Sequence, residues 1–410
     1  MNVRDRLLVL LVVVLCPSAW AADYYCDPAA EAGGDGSQAR PWPLLADAIM
    51  AGHVGKLKAG DTLYLLDGYH GTVQSTGRNK AMVTLAAAPN ARPQLGRLAF
   101  DRAANWTVKG LRISPTFDGK GYRGSIVDIG GNCTGITLEG CEVFAVDDHA
   151  ELDARAWMKL NNGIGTGRGE NVIIRDCYVR NIRFGVSLVG KSDLIEGCVI
   201  ENFSGDGLRM INHEQTARHN IIRDCFVSSS EGDRNHDDAI QCWYVDRGKE
   251  GPELRNVKIN HNIIIGQRTD KKTHAAQNQA IGLFDGPLVG FHIEGNVVMT
   301  DHWHGISVYD AQECEIINNV VWTEFADVSK ARPTIWLGSK KGLAKDNTVK
   351  GNYSVRYDLN QPGTKAADNQ AATKAIYEKA LVELGRKIVR EYGRVHESAQ
   401  RDRLTGKPVE

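Results

Sequence analysis

Residues 235–243 read NHDDAIQCW and set two carboxylic acids, Asp237 and Asp238, side by side ahead of a strand-like run. Two such groups in one dry site repel unless a proton, a cation or a basic side chain sits between them. The chemistry open to them is therefore proton transfer or cation binding. A third acid, Asp206, lies in SGDGLRM (204–210), close to Arg209. An Asp before Gly is also an ordinary turn residue, but turn chemistry accounts for at most one member of the 237/238 pair. His236, Gln241 and Trp243 share the segment, and His302 and His304 come later. Lys271 and Lys272 lie in RTDKKTHAAQNQ (268–279), a solvated loop by composition, although long loops often carry function.

What must position these residues is a repeat. The segments ITLEGCEV (136–143), VIIRDCYV (172–179), DLIEGCVI (193–200), NIIRDCFV (220–227), KINHNIII (258–265), FHIEGNVV (291–298), EIINNVV (315–321) and TVKGNYSV (348–355) each flank a Cys or Asn with apolar residues. The aligned positions are Cys141, Cys177, Cys198, Cys225, Asn262, Asn296, Asn319 and Asn352. A second series, out of phase with the first, includes FGVSL (184–188), DGLRM (206–210), DAIQC (238–242), QAIGL (279–283), HGISV (304–308) and PTIWL (333–337). Its third and fifth residues are apolar, the alternation of a strand with one buried face. No amphipathic helix separates the two series, which excludes βαβ units and predicts a solenoid of stacked parallel strands. The Cys positions then form an internal thiol stack that the Asn positions continue as an amide ladder. Buried thiols pack as small hydrophobes, and disulfides between coils are the alternative.

Solenoid stacking also aligns the chemistry. The lead position of the second series stacks Asp206, Asp238, Gln279 and His304. Its outward fourth position stacks Arg209, Gln241, Gly282, Ser307 and Trp336, and two residues on come Ile211, Trp243, Phe284 and Tyr309. One face thus combines acids, an arginine, a histidine and aromatics, which suits a sugar chain because aromatic faces and polar groups together bind sugar rings and hydroxyls.

With these segments the chain resembles the right-handed parallel β-helix proteins typified by pectate lyases, over roughly residues 23–358. The opening GGDGSQARPWPLLADAI (33–49) followed by KAGDTLYLLDGYHG (58–71) looks like their N-terminal cap and first strand. The series SGDGLRM, RNHDDAIQCW and DKKTH most resembles the calcium-dependent members. That resemblance implies Ca²⁺ held by Asp206, Asp237 and Asp238, Lys271 or Lys272 as the base, and β-elimination on a uronate polymer. Hard carboxylate oxygens suit Ca²⁺. The chain departs from the pattern at Gln241, where those lyases carry a further Asp, and Arg209 is then the candidate partner for a substrate carboxylate. WHGISV (303–308) also resembles the turn of polygalacturonase-type hydrolases, with Asp206, Asp237 and Asp238 as acid and base and His304 orienting them. In that reading an inverting mechanism needs carboxyls about 6.5–9.5 Å apart. A C5-epimerase shares the lyase's proton abstraction, and a non-catalytic polysaccharide-binding β-helix is the remaining alternative.

The rest of the chain sets the context. Arg4 and Arg6, the apolar run Leu7–Leu15 and Ala19-Trp20-Ala21 form a secretory signal pattern cleaved after Ala21, too short to span a bilayer. Leu15 stands where a lipoprotein signal around Cys16 would need a small residue. Export, periplasmic or secreted, is the expectation. A formal charge of -1 argues against nucleic acid held by general electrostatics. The expected organisation is a signal peptide over 1–21, a β-helix over 22–360 and a helical segment over 361–410. In that last segment Tyr377, Leu381, Leu384, Ile388, Tyr392 and Val395 recur at helical spacing. It is read as a cap on the open C-terminal edge of the solenoid, the alternative being self-association.

Overall fold

The computed structural model describes residues 21–45, 49, 57–227, 229–244, 253–266, 274, 278–324 and 332–392. The signal segment, Lys271 and Lys272 lie outside these residues. Every strand pair is parallel, and the strands wind into three long sheets of 13, 12 and 11 strands, with a short three-stranded sheet beside them. A typical coil gives Leu194–Glu196 to the 13-stranded sheet, Val199–Phe203 to the 12-stranded sheet and Leu208–Met210 to the 11-stranded sheet. This is the solenoid of parallel strands that the repeats predict, in the all-β right-handed parallel β-helix form that the resemblance implies.

The motif before each ladder position has a backbone reason. Gly140, Asp176, Gly197, His219, His261, Gly295, Asn318, Gly351 and Asp368 all have φ between 51° and 67°. Gly reaches this left-handed region without strain, and Asn, Asp and His are the residues that next tolerate it. The turn swings the following residue inward, where it stacks on its neighbour in the next coil. Asn220 Nδ2 donates to Asn262 Oδ1 at 3.0 Å, Asn262 to Asn296 at 3.0 Å, and Asn296 to Asn319 at 2.9 Å. The series continues through Asn352 to Asn369.

One member of the ladder differs from the expectation. Asn220, not Cys225, follows Cys198, since strand pairing sets Glu196 opposite Arg218 and the backbone N–H of Cys198 donates to Asn220 Oδ1. Cys225 ends the strand Ile221–Cys225, opposite Phe203 in the neighbouring coil. Cys141, Cys177 and Cys198 are buried thiols in the ladder.

The inward positions of the 11-stranded sheet fill the core as their alternation requires. Leu208, Ile240, Ile281, Ile306 and Ile335 are all 0% exposed. Each such side chain contributes on the order of 1.5–3 kcal/mol by leaving water.

The solenoid runs past residue 360, because Lys365–Ala367 and Gln370–Ala371 still add strands to two sheets. The C-terminal helix, Lys374–Tyr392, is amphipathic as its spacing predicts, but it lies along the flank rather than over the open edge. Tyr377, Leu381, Leu384 and Ile388 pack on Val199, Ile221, Ile263, Val297 and Val320, which face outward from the 12-stranded sheet. That sheet is apolar on both sides at Ile263–Ile265 and Val297–Met299, so an outer layer is needed to keep it from water. The apolar stripe expected for self-association is thus covered within the chain.

Candidate active site

The strands of the 11-stranded sheet hold the site. Register places Arg209 opposite Gln241, Gln241 opposite Gly282, Gly282 opposite Ser307 and Ser307 opposite Trp336, as the repeat predicted. A register shift between Gln241 and Trp243 sets Trp243 against Asp285 instead of Phe284, so the expected aromatic line is broken there.

Asp206, Asp237 and Asp238 come together as expected, all below 9% exposure. Asp206 is saturated with donors. Its Oδ2 accepts from Arg209 Nε at 2.6 Å, and its Oδ1 accepts from Asn235 Nδ2 at 2.9 Å and from the Asp238 backbone N–H at 3.1 Å. The same Asn235 amide donates to Asp237 Oδ1 at 3.1 Å. Asp238 is wholly buried, and neither of its carboxyl oxygens meets a donor in good hydrogen-bond geometry, Gln241 being the polar side chain beside it.

This arrangement decides which acids carry charge. Burial, then the nearby Asp233 and Asp206, push the Asp237 carboxyl up to about 8, against the opposing pull of Asn235 and Arg183. Burial, followed by the charges of Asp206 and Asp237, raises Asp238 well above the carboxylate range. Near neutral pH both are proton carriers, while Asp206 forms the ion pair with Arg209. The repulsion between adjacent acids is relieved by protons and one guanidinium.

The expected calcium site does not fit this donor set. Both oxygens of Asp206 already accept N–H donors, and the Arg209 guanidinium stands where a cation would need to approach. Ca²⁺ takes about six to eight oxygens, and of the three acids only the Asp238 carboxyl and Asp237 Oδ2 are left open. Among the described residues no group of three or more His, Cys, Asp or Glu side chains is arranged to hold a metal ion.

The remaining expected residues divide in two. His236 is exposed at the rim, and Gln241 is half-buried. Arg209 lies 3.5 Å over the Phe184 ring and 5.7 Å from that of Trp243. Farther along the axis, Phe284 meets His304 edge-on at 4.8 Å and Tyr309 at 5.3 Å. His304 Nδ1 lies 2.6 Å from Ser307 Oγ. Burial, then His302 and Lys340, push His304 down to about 3, and burial with His236 pushes His302 to about 4, so both rings are neutral. Gly282 joins the two groups: a Cβ there would stand 1.9 Å from Asp238 Oδ1 and 2.5 Å from Phe284.

Several participants were not singled out from sequence. Asp233 accepts a two-pronged bond from Arg183 at 2.5 and 2.9 Å, and its Oδ1 also accepts the Asn235 backbone N–H at 2.9 Å. That clamp orients the amide bridging Asp206 and Asp237. Trp303 lies tilted against His304, ring centroids 3.6 Å apart, and 5.2 Å from Trp336. Lys340 sits over the Phe284 and Tyr309 rings at 5.9 and 5.7 Å. The NHDD spacing and the stacked position of Trp336 were signals for two of these, whereas Arg183 and Lys340 come from turns of neighbouring coils outside the aligned strand positions.

Three solved structures illustrate what the fold is similar to. The pectate lyase Pel9A is 12% identical at a TM-score of 0.45, over 86% of this chain and 78% of its own. The GH136 lacto-N-biosidase from Eubacterium ramulus is 12% identical at 0.48, over 86% and 68%. The A-module of the mannuronan C-5 epimerase AlgE4 from Azotobacter vinelandii is 13% identical at 0.42, over 76% and 87%. No curated protein matches the sequence. The family model described as "Right handed beta helix region" matches residues 99–353, and the chain belongs to that family.

Proposed function

We propose that this chain is an exported polysaccharide-processing enzyme that cleaves a uronate-containing polymer by β-elimination, without Ca²⁺ in the acid cluster. The observation that carries the reading is the charge state of the cluster. Three acids beside a groove would repel an anionic sugar, yet Asp237 and Asp238 are driven to their neutral forms and Asp206 is paired with Arg209. Arg209 spends Nε on Asp206, which leaves its two terminal nitrogens for a fork on the uronate carboxylate. That fork withdraws charge from the carboxylate and acidifies the C5 proton.

A base then takes that proton, its electron pair forms the C4=C5 double bond, and the C4–O bond breaks. Protonated Asp237 supplies the proton that the leaving oxygen needs. Lys271 or Lys272 is the base candidate, because His304 stands three coil steps from Arg209, about 14 Å along the axis, beyond reach of the C5 proton of a sugar held there. The N-terminal segment supports export to the periplasm or beyond.

Hydrolysis is the second reading, favoured by the same protonated Asp237, since a glycosidase acid needs a raised pKa. Against it, Asp206 and Asp237 oxygens both lie within 3.1 Å of one Asn235 nitrogen. They therefore stand closer together than the roughly 6.5–9.5 Å of an inverting pair.

Purified mature protein incubated with a panel of acidic polysaccharides, with and without EDTA, tests the proposal. A rise in absorbance near 235 nm that survives EDTA is the expected outcome. New reducing ends without that absorbance assign hydrolysis, and loss of the signal in EDTA returns calcium to the site. If neither product forms, epimerisation and then polysaccharide binding without turnover become the readings to test.

A further inference from the structure

The 11-stranded sheet carries a second concentration of ligand-like groups three to four coils beyond Arg209. Trp303 is 49% exposed, one of the few large apolar side chains so open to water. It lies 5.2 Å from Trp336, and Trp336 stacks on His304 at 5.3 Å with an interplanar angle of 16°. Tyr309 closes the group at 5.4 Å from Trp336. At its edge, Lys340 is bound to Asp285 at 3.0 Å and is half-exposed, so an incoming carboxylate can replace Asp285 as its partner.

Between this shelf and the acid cluster the small residues Gly282 and Ser307, in direct register with Arg209 and Trp336, lie buried beneath Asp238, Phe284 and His304. Four coil steps at roughly 4.8 Å each separate Arg209 from Trp336, about 19 Å along the axis. One face of the sheet thus carries a guanidinium at one end and two indoles and an ammonium at the other. This length exceeds one sugar ring several-fold, so the occupant that matches it is a chain.

We infer that Trp303, Trp336 and Lys340 form a distal subsite for a second acidic sugar of the same polymer, with the chain running along this face of the sheet. The inference rests on the proposed action on a uronate polymer and adds where that polymer runs. Indole faces take the apolar side of a sugar ring, and Lys340 takes its carboxylate. Continuity with the acid cluster and cations at both ends favour this occupant over a protein segment.

The test is calorimetric binding of uronate oligomers of two to eight residues, galacturonate and mannuronate series, to wild type and to Trp303→Ala and Lys340→Gln. Trp303→Phe serves as the conservative variant, and melting temperatures check folding. In wild type, affinity rises with length until an oligomer spans both ends. Trp303→Ala is expected to weaken the octamer about tenfold and flatten that rise, and Phe to restore part of it. An undiminished length dependence in Trp303→Ala overturns the subsite. Neutral xylan or cellulose oligomers that bind in a Trp303-dependent manner, where acidic ones do not, would retain a sugar subsite but overturn its acidic specificity and the proposed uronate substrate. Absence of binding to every oligomer overturns both.

Discussion

Asp237→Asn isolates the cost of holding a carboxyl in the cluster. Its pKa is pushed from 3.8 to about 8 in the folded chain, chiefly by burial. A raised carboxyl contributes stability that is complete below its unfolded value and is lost as pH rises to its folded value. Between about pH 4 and pH 8 the unfolded chain releases the proton while the folded chain retains it. At about 1.4 kcal/mol per pH unit, this amounts to about 6 kcal/mol of lost stability. Asparagine has the same shape and no proton to lose, and its oxygen can still accept the 3.1 Å bond from Asn235. Wild type and variant should therefore have similar urea midpoints near pH 4, and the variant should gain steadily up to pH 8 and hold its lead above it. Circular dichroism across a pH series measures this, and the contributions of acids remote from the cluster cancel in the difference, leaving Asp237 with the coupled Asp206, Asp233 and Asp238. Parallel curves for the two proteins would refute the protonated state of Asp237, and with it the charge argument for an anionic substrate. The amide also cannot protonate a leaving oxygen, so turnover should fall by roughly 10²- to 10⁴-fold.

Gly282→Ala tests the packing between the two halves of the groove, because its Cβ would meet Asp238 Oδ1 at 1.9 Å with no free space for the buried acid. Overpacking of this kind costs about 1–3 kcal/mol, and the displaced acid should lower kcat/KM about a hundredfold; an unchanged kcat/KM would show that the placement of Asp238 is not needed for turnover. Asn296→Ala interrupts the internal ladder and leaves the Asn262 side-chain N–H and the Ile259 carbonyl without their partners. Unfolding should become easier by roughly 3 kcal/mol, as read from urea midpoints, and no change would mean that water replaces the amide.

The ladder shows where local reading stops. Both His219-Asn220 and Asp224-Cys225 pair a left-handed residue with a small or amide side chain, with φ of 57° and 63°. Local chemistry admits either as the inward member, and only the pairing of Glu196 with Arg218 selects Asn220. Trp243 is similar, since its neighbour depends on a bulge that no residue in IQCW announces. The helix stripe Tyr377, Leu381, Leu384 and Ile388 was legible, but its partner was not, because the outward apolar residues of the 12-stranded sheet look like core residues in sequence.

The solenoid itself followed from sequence alone, because one coil repeats one local problem. Each strand needs inward apolar residues at period two, and each corner needs a residue that tolerates positive φ, so both leave a periodic trace. The grouping of Asp206, Asp237 and Asp238 followed from the same period. Tertiary structure alone decided what that grouping can do. Arg183 and Asp233 meet from separate coils to aim Asn235, and Lys340 arrives beside Tyr309 and Phe284 from another. The protonation of Asp237 and Asp238 depends on burial and on charges a few ångströms away through space, and such distances leave no periodic trace along the chain.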